Sequence, residues 1–168
     1  MSVARPAATA ALLQVDAILS RLAGRDALAE VCRFLAASFA HYHWVGVYRR
    51  EGEELVLAAY EGPAATEHTR IPIDRGLCGR AVRDAATVTV DDVRASPEYL
   101  ACFLSTRSEI VVPIFVARTV VGEIDIDSDR LAAFDPSDRA FLEQVAARLG
   151  AVVTASAGGP GDAAAARS

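Results

Sequence analysis

Two apolar strands joined by a tight turn constrain this chain more than any other stretch. Residues 109 to 117 read EIVVPIFVA and residues 119 to 127 read TVVGEIDID, with the reversal near Arg118. Period-two alternation marks both as strands. A chain that pairs them must build its core against a face of the resulting sheet. On the second strand Val120, Ile124 and Ile126 share one face with Gly122, while Glu123, Asp125 and Asp127 share the other. Carboxylates at i, i+2 and i+4 of a central apolar strand are either a solvated face or the floor of a cation-binding pocket. Pattern alone favours the solvated face.

The flanking segments read as follows. Leu12, Val15, Ile18, Leu19 and Leu22 recur at helical spacing, and Gly24 follows as a C-terminal stop. A second helix fits Asp26 to about Phe39, with Leu28, Val31, Leu35 and Phe39 aligned. The segments HWVGVYR and LVLAAY alternate around REGEE and predict a β-hairpin. It sets Trp44, Gly46 and Tyr48 on one face and Val45 and Val47 on the other. Gly62 and Pro63 interrupt a long polar loop from Glu61 to Asp74, within which TRIPIDRG allows a short edge strand. GLCGRAVRD, entered through Gly76, predicts a short helix, and TVTVDDV a further strand. Asp135 and Pro136 open a last helix as cap and first-turn proline, with Phe141, Leu142, Val145, Leu149, Val152 and Val153 as its stripe.

Strands in the middle and helices at both ends predict an α+β domain, helices packed on one face of a mostly antiparallel sheet. The expected organisation is one domain over 1–155, with N-terminal helices in 1–40 and a C-terminal helix over 135–155. A disordered tail is expected over 156–168, where small, Gly- and Pro-bearing residues dominate.

Composition narrows the function classes. A chain of 168 residues can bury a proper core, and 52% apolar against 23% charged residues is a globular rather than a disordered balance. The net charge of -5 argues against nucleic acid, which rewards a basic stripe. No run approaches the roughly 18 consecutive apolar residues of a membrane helix. The start, MSVARPAATAALLQVD, lacks a compact apolar export segment, so a cytoplasmic location with reduced thiols is expected. Three cysteines form no CxxC or CxxH pair, which argues against a disulfide framework or a structural zinc site.

The cysteines therefore divide by context. Cys32 falls four residues after Leu28 on the apolar side of its helix, as core filler. Cys78 lies in the first turn of the short helix, where unpaired N–H groups and the helix dipole favour a thiolate. Cys102 follows a looped passage opened by Ser96 and Pro97. Two thiols and several acids between Gly76 and Ser128 read either as a place for sulfur chemistry or as a small-molecule pocket without chemistry. Trp44 and Tyr48 fit plain sheet packing, and their polar edges equally suit a half-open pocket wall. His68, alone in its loop, reads as an exposed histidine.

Taken in order, WVGVY, RGLCGRA, SEIVVPI, VVGEIDIDS and FDPSDRAFLEQVA resemble the GAF-domain enzymes called free methionine-(R)-sulfoxide reductases, over about Trp44 to Val145. The resemblance implies a six-stranded antiparallel sheet with helices on one face and a ligand pocket on the other. It implies reduction of free L-methionine-(R)-sulfoxide to methionine through a thiol, sulfenic acid and disulfide cycle. Cys102 would attack and Cys78 would resolve. Glu109, Asp125 and Asp127 would bind the α-ammonium group and relay a proton, Trp44 would wall the pocket, and Tyr48 would hydrogen-bond the substrate. It implies no bound cofactor and no metal, an external dithiol reductant such as thioredoxin, and a homodimer as one assembly open to it.

Two positions depart from the family pattern. His68 stands ten residues before Cys78, where the family has a third cysteine, and Phe103 replaces an aspartate after Cys102. The other readings are a non-catalytic GAF domain that binds a small molecule, and a thiol redox sensor that uses the same two cysteines.

Overall fold

The computed structural model describes residues 5–101 and 103–158. Two helices come first, α1 (Arg5–Arg21) and α2 (Gly24–Ser38), then the hairpin β1 (Trp44–Glu51) and β2 (Glu54–Glu61). The edge strand β3 (Arg70–Pro72), the short helix α3 (Gly76–Asp84) and the strand β4 (Val88–Val90) follow. The long pair β5 (Ser108–Val116) and β6 (Thr119–Ser128) leads to α4 (Pro136–Ala155). The six strands form one sheet in the order β3-β2-β1-β6-β5-β4, antiparallel throughout. The expected α+β sheet, hairpin, edge strand and short helix are all present.

The sheet has two different faces. Val45, Val47, Ile110, Val112, Ile114, Ile124 and Ile126 form a single apolar core with α1, α2 and α4. Each fully buried aliphatic side chain there contributes roughly 1.5–3 kcal/mol, so this layer carries most of the stability. On the opposite face Trp44, Tyr48, Leu55, Val111 and Val120 pack with Leu77, Cys78, Ala81 and Val82 of α3.

Val120 overturns part of the sequence reading, which set it beside Ile124 and Ile126. The β5–β6 register passes from Ile114 opposite Gly122 to Phe115 opposite Val120, leaving Val121 as an extra residue. Such a bulge inverts the alternation beyond it. Val121 consequently packs against the helix-side core, and Val120 turns to the α3 side.

Gly24 also differs from its expected role. Helix α1 ends at Arg21, and Gly24, with φ of +54°, opens α2 rather than closing α1. So short a link between two helices needs a left-handed residue at the reversal, where a Cβ costs about 1 kcal/mol or more. Leu22 falls off the predicted stripe and is exposed.

Helix α4 starts as expected. Asp135 accepts from the Ser137 and Asp138 amides, and Asp138 reaches back to the Asp135 amide at 3.0 Å. The buried Asp138 also accepts from Tyr42 Oη at 2.8 Å and meets His41 Nε2 at 2.7 Å. This carboxylate therefore locks the entry of β1 onto the start of α4, with charge-assisted bonds of about 1.5–3 kcal/mol each. At the far end Arg49 of β1 donates to the Ser156 carbonyl at 2.9 Å, and Ser156–Gly158 forms a 3-10 turn. Residues 159–168 of the expected tail lie outside the described residues. Among the described residues no helix is long and apolar enough to cross a membrane.

Candidate functional site

Antiparallel register gathers the acids. Glu109 of β5 stands opposite Asp127 of β6, and Asp125 stands opposite Val111. On the other flank Trp44 faces Asp127, Gly46 faces Asp125 and Tyr48 faces Glu123. Period two then points Glu109, Glu123, Asp125 and Asp127 to the side covered by α3. All four are buried. The sequence pattern favoured a solvated face, and the structure places this one under protein.

Trp44 forms the side wall. A Cβ on Gly46 would come within 2.3 Å of the Trp44 ring, and one on Gly62 within 2.3 Å of its Cδ1. The indole thus lies in a slot that only glycine leaves open. Tyr60 stacks on it at 5.8 Å, and Phe103 tilts against it at 5.9 Å. A cavity of about 200 Å³ opens here, bounded by His43, Trp44, Pro63, Phe103, Thr106 and Asp127. Phe103, a departure from the family pattern, is therefore a wall residue. Among the described residues, Trp44 Nε1, Asp125 Oδ1 and both oxygens of Asp127 are buried and find no hydrogen-bond partner.

Helix α3 delivers Cys78 over the acid row. Its Sγ donates to Asp125 Oδ2 at 3.6 Å, and ligand atoms of Cys78, Glu109 and Asp125 lie within 4.8 Å of one another. Glu123 lies beside the same thiol, although neither of its oxygens reaches bonding geometry with it. No arginine or histidine pairs with any of the four carboxyls among the described residues. A thiol and acids so close together make a donor set able to take a cation.

The electrostatics correct one sequence expectation. Burial pushes the Cys78 thiol well above its ordinary range, and the charges of Asp125, Glu123 and Glu109 push it further. A helix N-terminus supplies about 0.3–1 kcal/mol at an exposed site. Desolvation of a fully buried group can raise its pKa by up to about 3–5. The dipole loses, and Cys78 rests as a thiol. Burial likewise raises Glu109, Glu123 and Asp127 well above the carboxylate range, with mutual repulsion added at each. Asp125 rises to about 6, because bonds from Glu109 and Cys78 and the nearby His68 partly offset its burial. The row is thus a proton store with Asp125 as its most readily ionised member.

Tyr48 donates its hydroxyl to the His68 carbonyl at 2.8 Å, which commits it to holding the 61–69 loop. His68 in turn donates from Nε2 to the Ala101 carbonyl at 3.1 Å. Cys102 lies outside the described residues. Its neighbours are placed: Leu100 and Phe103 pack into the same cluster as Cys78, and a Cβ on Gly76 would meet Leu100 at 2.9 Å. An ion pair from Arg80 to Glu98 at 3.7 Å ties the same segment to α3. Three features escaped the sequence reading: the Gly46 and Gly62 slot, Phe103 as a wall, and Glu123 as a fourth site acid. Glu123 alone had a visible signal, its period-two alignment with Asp125 and Asp127.

A helix-backed antiparallel sheet whose other face is closed by a short helix over a small cavity is the architecture of a GAF domain, and the GAF domain family profile matches residues 23–154. GAF domain-containing protein A of Dictyostelium discoideum is 41% identical over 119 residues, 70% of this chain and 73% of that one. The free methionine-R-sulfoxide reductase of Escherichia coli is 34% identical over 122 residues, 73% of each chain. The free methionine-R-sulfoxide reductase of Neisseria meningitidis, solved in complex with its substrate, superposes with a TM-score of 0.82 at 38% identity, covering 90% of both chains. The chain belongs to the GAF-domain family and, within it, to the free methionine-R-sulfoxide reductases.

Proposed function

We propose that this protein reduces free L-methionine-(R)-sulfoxide to methionine by a thiol, sulfenic acid and disulfide cycle. The observation that carries this reading is the row of buried carboxyls, bonded to no basic side chain among the described residues, set against Cys78. Such a row is costly unless a ligand brings the missing positive charge. An α-ammonium group does so, and a peptide-bound residue lacks one.

The chemistry follows from the groups present. Cys102 attacks the sulfoxide sulfur while one of Glu109, Asp125 and Asp127 protonates the departing oxygen, giving methionine and a sulfenic acid on Cys102. The Cys78 thiol then displaces that hydroxyl, forming the Cys78–Cys102 disulfide and releasing water. An external dithiol such as thioredoxin restores both thiols. Glu109, Asp125 and Asp127 hold the ammonium, Trp44 and Phe103 enclose the apolar end, and Tyr48 and His68 position the surrounding loops. The packing of Leu100 and Phe103 on the Cys78 side supports the pairing.

Reductant consumption is measured with the free (R) sulfoxide, the (S) epimer and a peptide-bound sulfoxide side by side. Turnover of the free (R) form alone, lost in Cys102→Ser, is the expected result. Mass analysis of sulfoxide-treated protein should give a Cys78–Cys102 disulfide. Turnover of the peptide-bound form, or a disulfide through Cys32, would overturn the reading.

A further inference from the structure

Glu123 is the site acid for which the reaction above has no use. It stands two residues before Asp125 on β6, opposite Tyr48 on one flank and Pro113 on the other. Its side chain is fully buried, and among the described residues neither oxygen has a hydrogen-bond partner. What it does lie beside is the Cys78 thiol. An acid placed so deep is too far inside to be explained as surface charge.

We propose that Glu123 is the proton donor to Cys78 when the Cys78–Cys102 disulfide is reduced. This rests on the disulfide cycle proposed above. Cys78, on the inner side of α3, is only 5% exposed, so its sulfur is shielded from an incoming dithiol and Cys78 is the leaving group. The attacking thiolate forms a new S–S bond to Cys102, the old S–S bond breaks, and its electron pair goes to Cys78 Sγ. The second thiol of the reductant then displaces Cys102 from the mixed disulfide.

A sulfur leaves faster as its thiol pKa falls. Cys78 is the reverse case, because burial and the neighbouring carboxylates make its thiolate unfavourable. Departure as a thiolate beside three acids is therefore slow, and departure as a thiol needs a proton delivered as the bond breaks. Glu123 holds such a proton, since burial keeps its carboxyl neutral well above the ordinary carboxylate range. The proton stays on the Cys78 thiol, and the Glu123 carboxylate left behind takes a new one from solvent before the next cycle.

The other groups facing this pair do not substitute for it. Asp125 accepts the Cys78 S–H bond and is the most easily ionised of the row. Glu109 on β5 also comes within 4.8 Å of this thiol, but its carboxyl is bonded to Asp125, and Asp127 on β6 lines the cavity. The Tyr48 hydroxyl and the His68 ring are bonded to the loop segments at His68 and Ala101. On α3, Arg83 turns to the Ile73 carbonyl, and Arg80 turns to Asp84 and Glu98.

The test separates the two halves of the cycle. Purified protein is mixed with one equivalent of sulfoxide, and methionine is quantified; a burst of about one methionine per chain checks the cycle itself. Preformed disulfide is then mixed with excess dithiol, and thiol release is followed from pH 6 to pH 9, corrected for ionisation of the reductant. Glu123→Gln should keep the burst amplitude but slow disulfide reduction by about a hundredfold, the usual worth of a general acid. In the unaltered protein the corrected rate should fall as pH rises and Glu123 loses its proton, and that limb should be missing in Glu123→Gln. Glu123→Asp, which keeps an acid one methylene shorter, should retain the limb and recover part of the rate. An unaltered rate and pH limb in Glu123→Gln would overturn the proposal, and so would equal loss in both variants. If Glu123→Gln does not fold, the presence or absence of the limb in Glu123→Asp decides.

Discussion

The two buried cysteines with described surroundings occupy opposite faces of the sheet, and their contrast separates a structural thiol from a usable one. Cys32 sits on α2 in the helix-side core, where burial pushes it up to about 12, with a smaller push from Glu61. Cys78 is also raised by burial, but next in rank are three carboxyls on the strands beneath it. Apolar side chains pack around the first thiol, and Glu61 acts on it through charge and not through a bond. Titratable groups surround the second, so its proton has somewhere to go. Burial alone makes a cysteine inert, whereas burial against a proton store makes its reactivity conditional on that store.

Exchanging the two thiols should break the comparison most plainly. Cys78→Ser should lower thioredoxin-supported turnover by roughly a hundredfold or more, since the disulfide can no longer form. A dimedone-trappable sulfenic acid should accumulate with it. Cys32→Ala should stay within about twofold in turnover and lose about 1 kcal/mol in denaturant melts, the cost of a small core cavity. Equal effects of the two variants would erase the distinction between the faces.

A smaller effect concerns pH and stability. The folded acid row keeps protons that an unfolded chain has already released, because its folded pKa values are raised. Stability is thus greatest below the unfolded carboxylate range and declines as pH rises through the folded values. For Asp125 the window runs from 3.8 to about 6. Its share of the loss is on the order of 3 kcal/mol, and Glu109, Glu123 and Asp127 extend the decline to higher pH. Ligand-free protein should melt at a higher temperature at pH 5 than at pH 8, and Asp125→Asn should flatten the curve between pH 4 and 6. A melting temperature that climbs from pH 5 to pH 8 would contradict the assigned electrostatics.

The mildest change touches the wall rather than the acids. Gly46→Ala places a methyl where the Trp44 ring now lies, costing about 1–3 kcal/mol of strain or a displaced indole. Trp44 is the only tryptophan, so its emission reports directly on the slot. A red shift and a raised KM with little change in kcat are expected. Unchanged emission and KM would mean that the indole does not depend on Gly46.

Much of the fold was legible because its signals are local. Period two identified the hairpin and the long strand pair, and Asp135 with Pro136 marked the start of α4. The readings that failed depended on distant partners. Val120 changed faces because of a bulge that only the β5–β6 register defines. Gly24 moved from one helix to the next because the reversal, not the residue type, decided its role. Asp138 looked like an ordinary first-turn acid, and its bonds to His41 and Tyr42 join segments nearly a hundred residues apart.

The candidate site divides in the same way. Cys78, Trp44 and the carboxylates of β6 were noticeable by type and spacing, although pattern alone favoured a solvated face for the acids, and Glu109 came from the family resemblance. The period-two alternation did not separate Glu123 from Asp125 and Asp127. Which acid touches the thiol, and which touches the cavity, follows from where α3 crosses the sheet.

By itself the sequence determined that three carboxylates of β6 share one face, since side chains of a strand alternate whatever the chain does elsewhere. Only the tertiary structure decided that this face is covered, because covering it requires α3 and the segment around Leu100 and Phe103 to return from other parts of the chain. The same return turned Cys78 from a predicted helix-end thiolate into a protonated thiol. Desolvation and charge depend on every neighbour within a few ångströms, and a linear chain does not specify those neighbours one residue at a time.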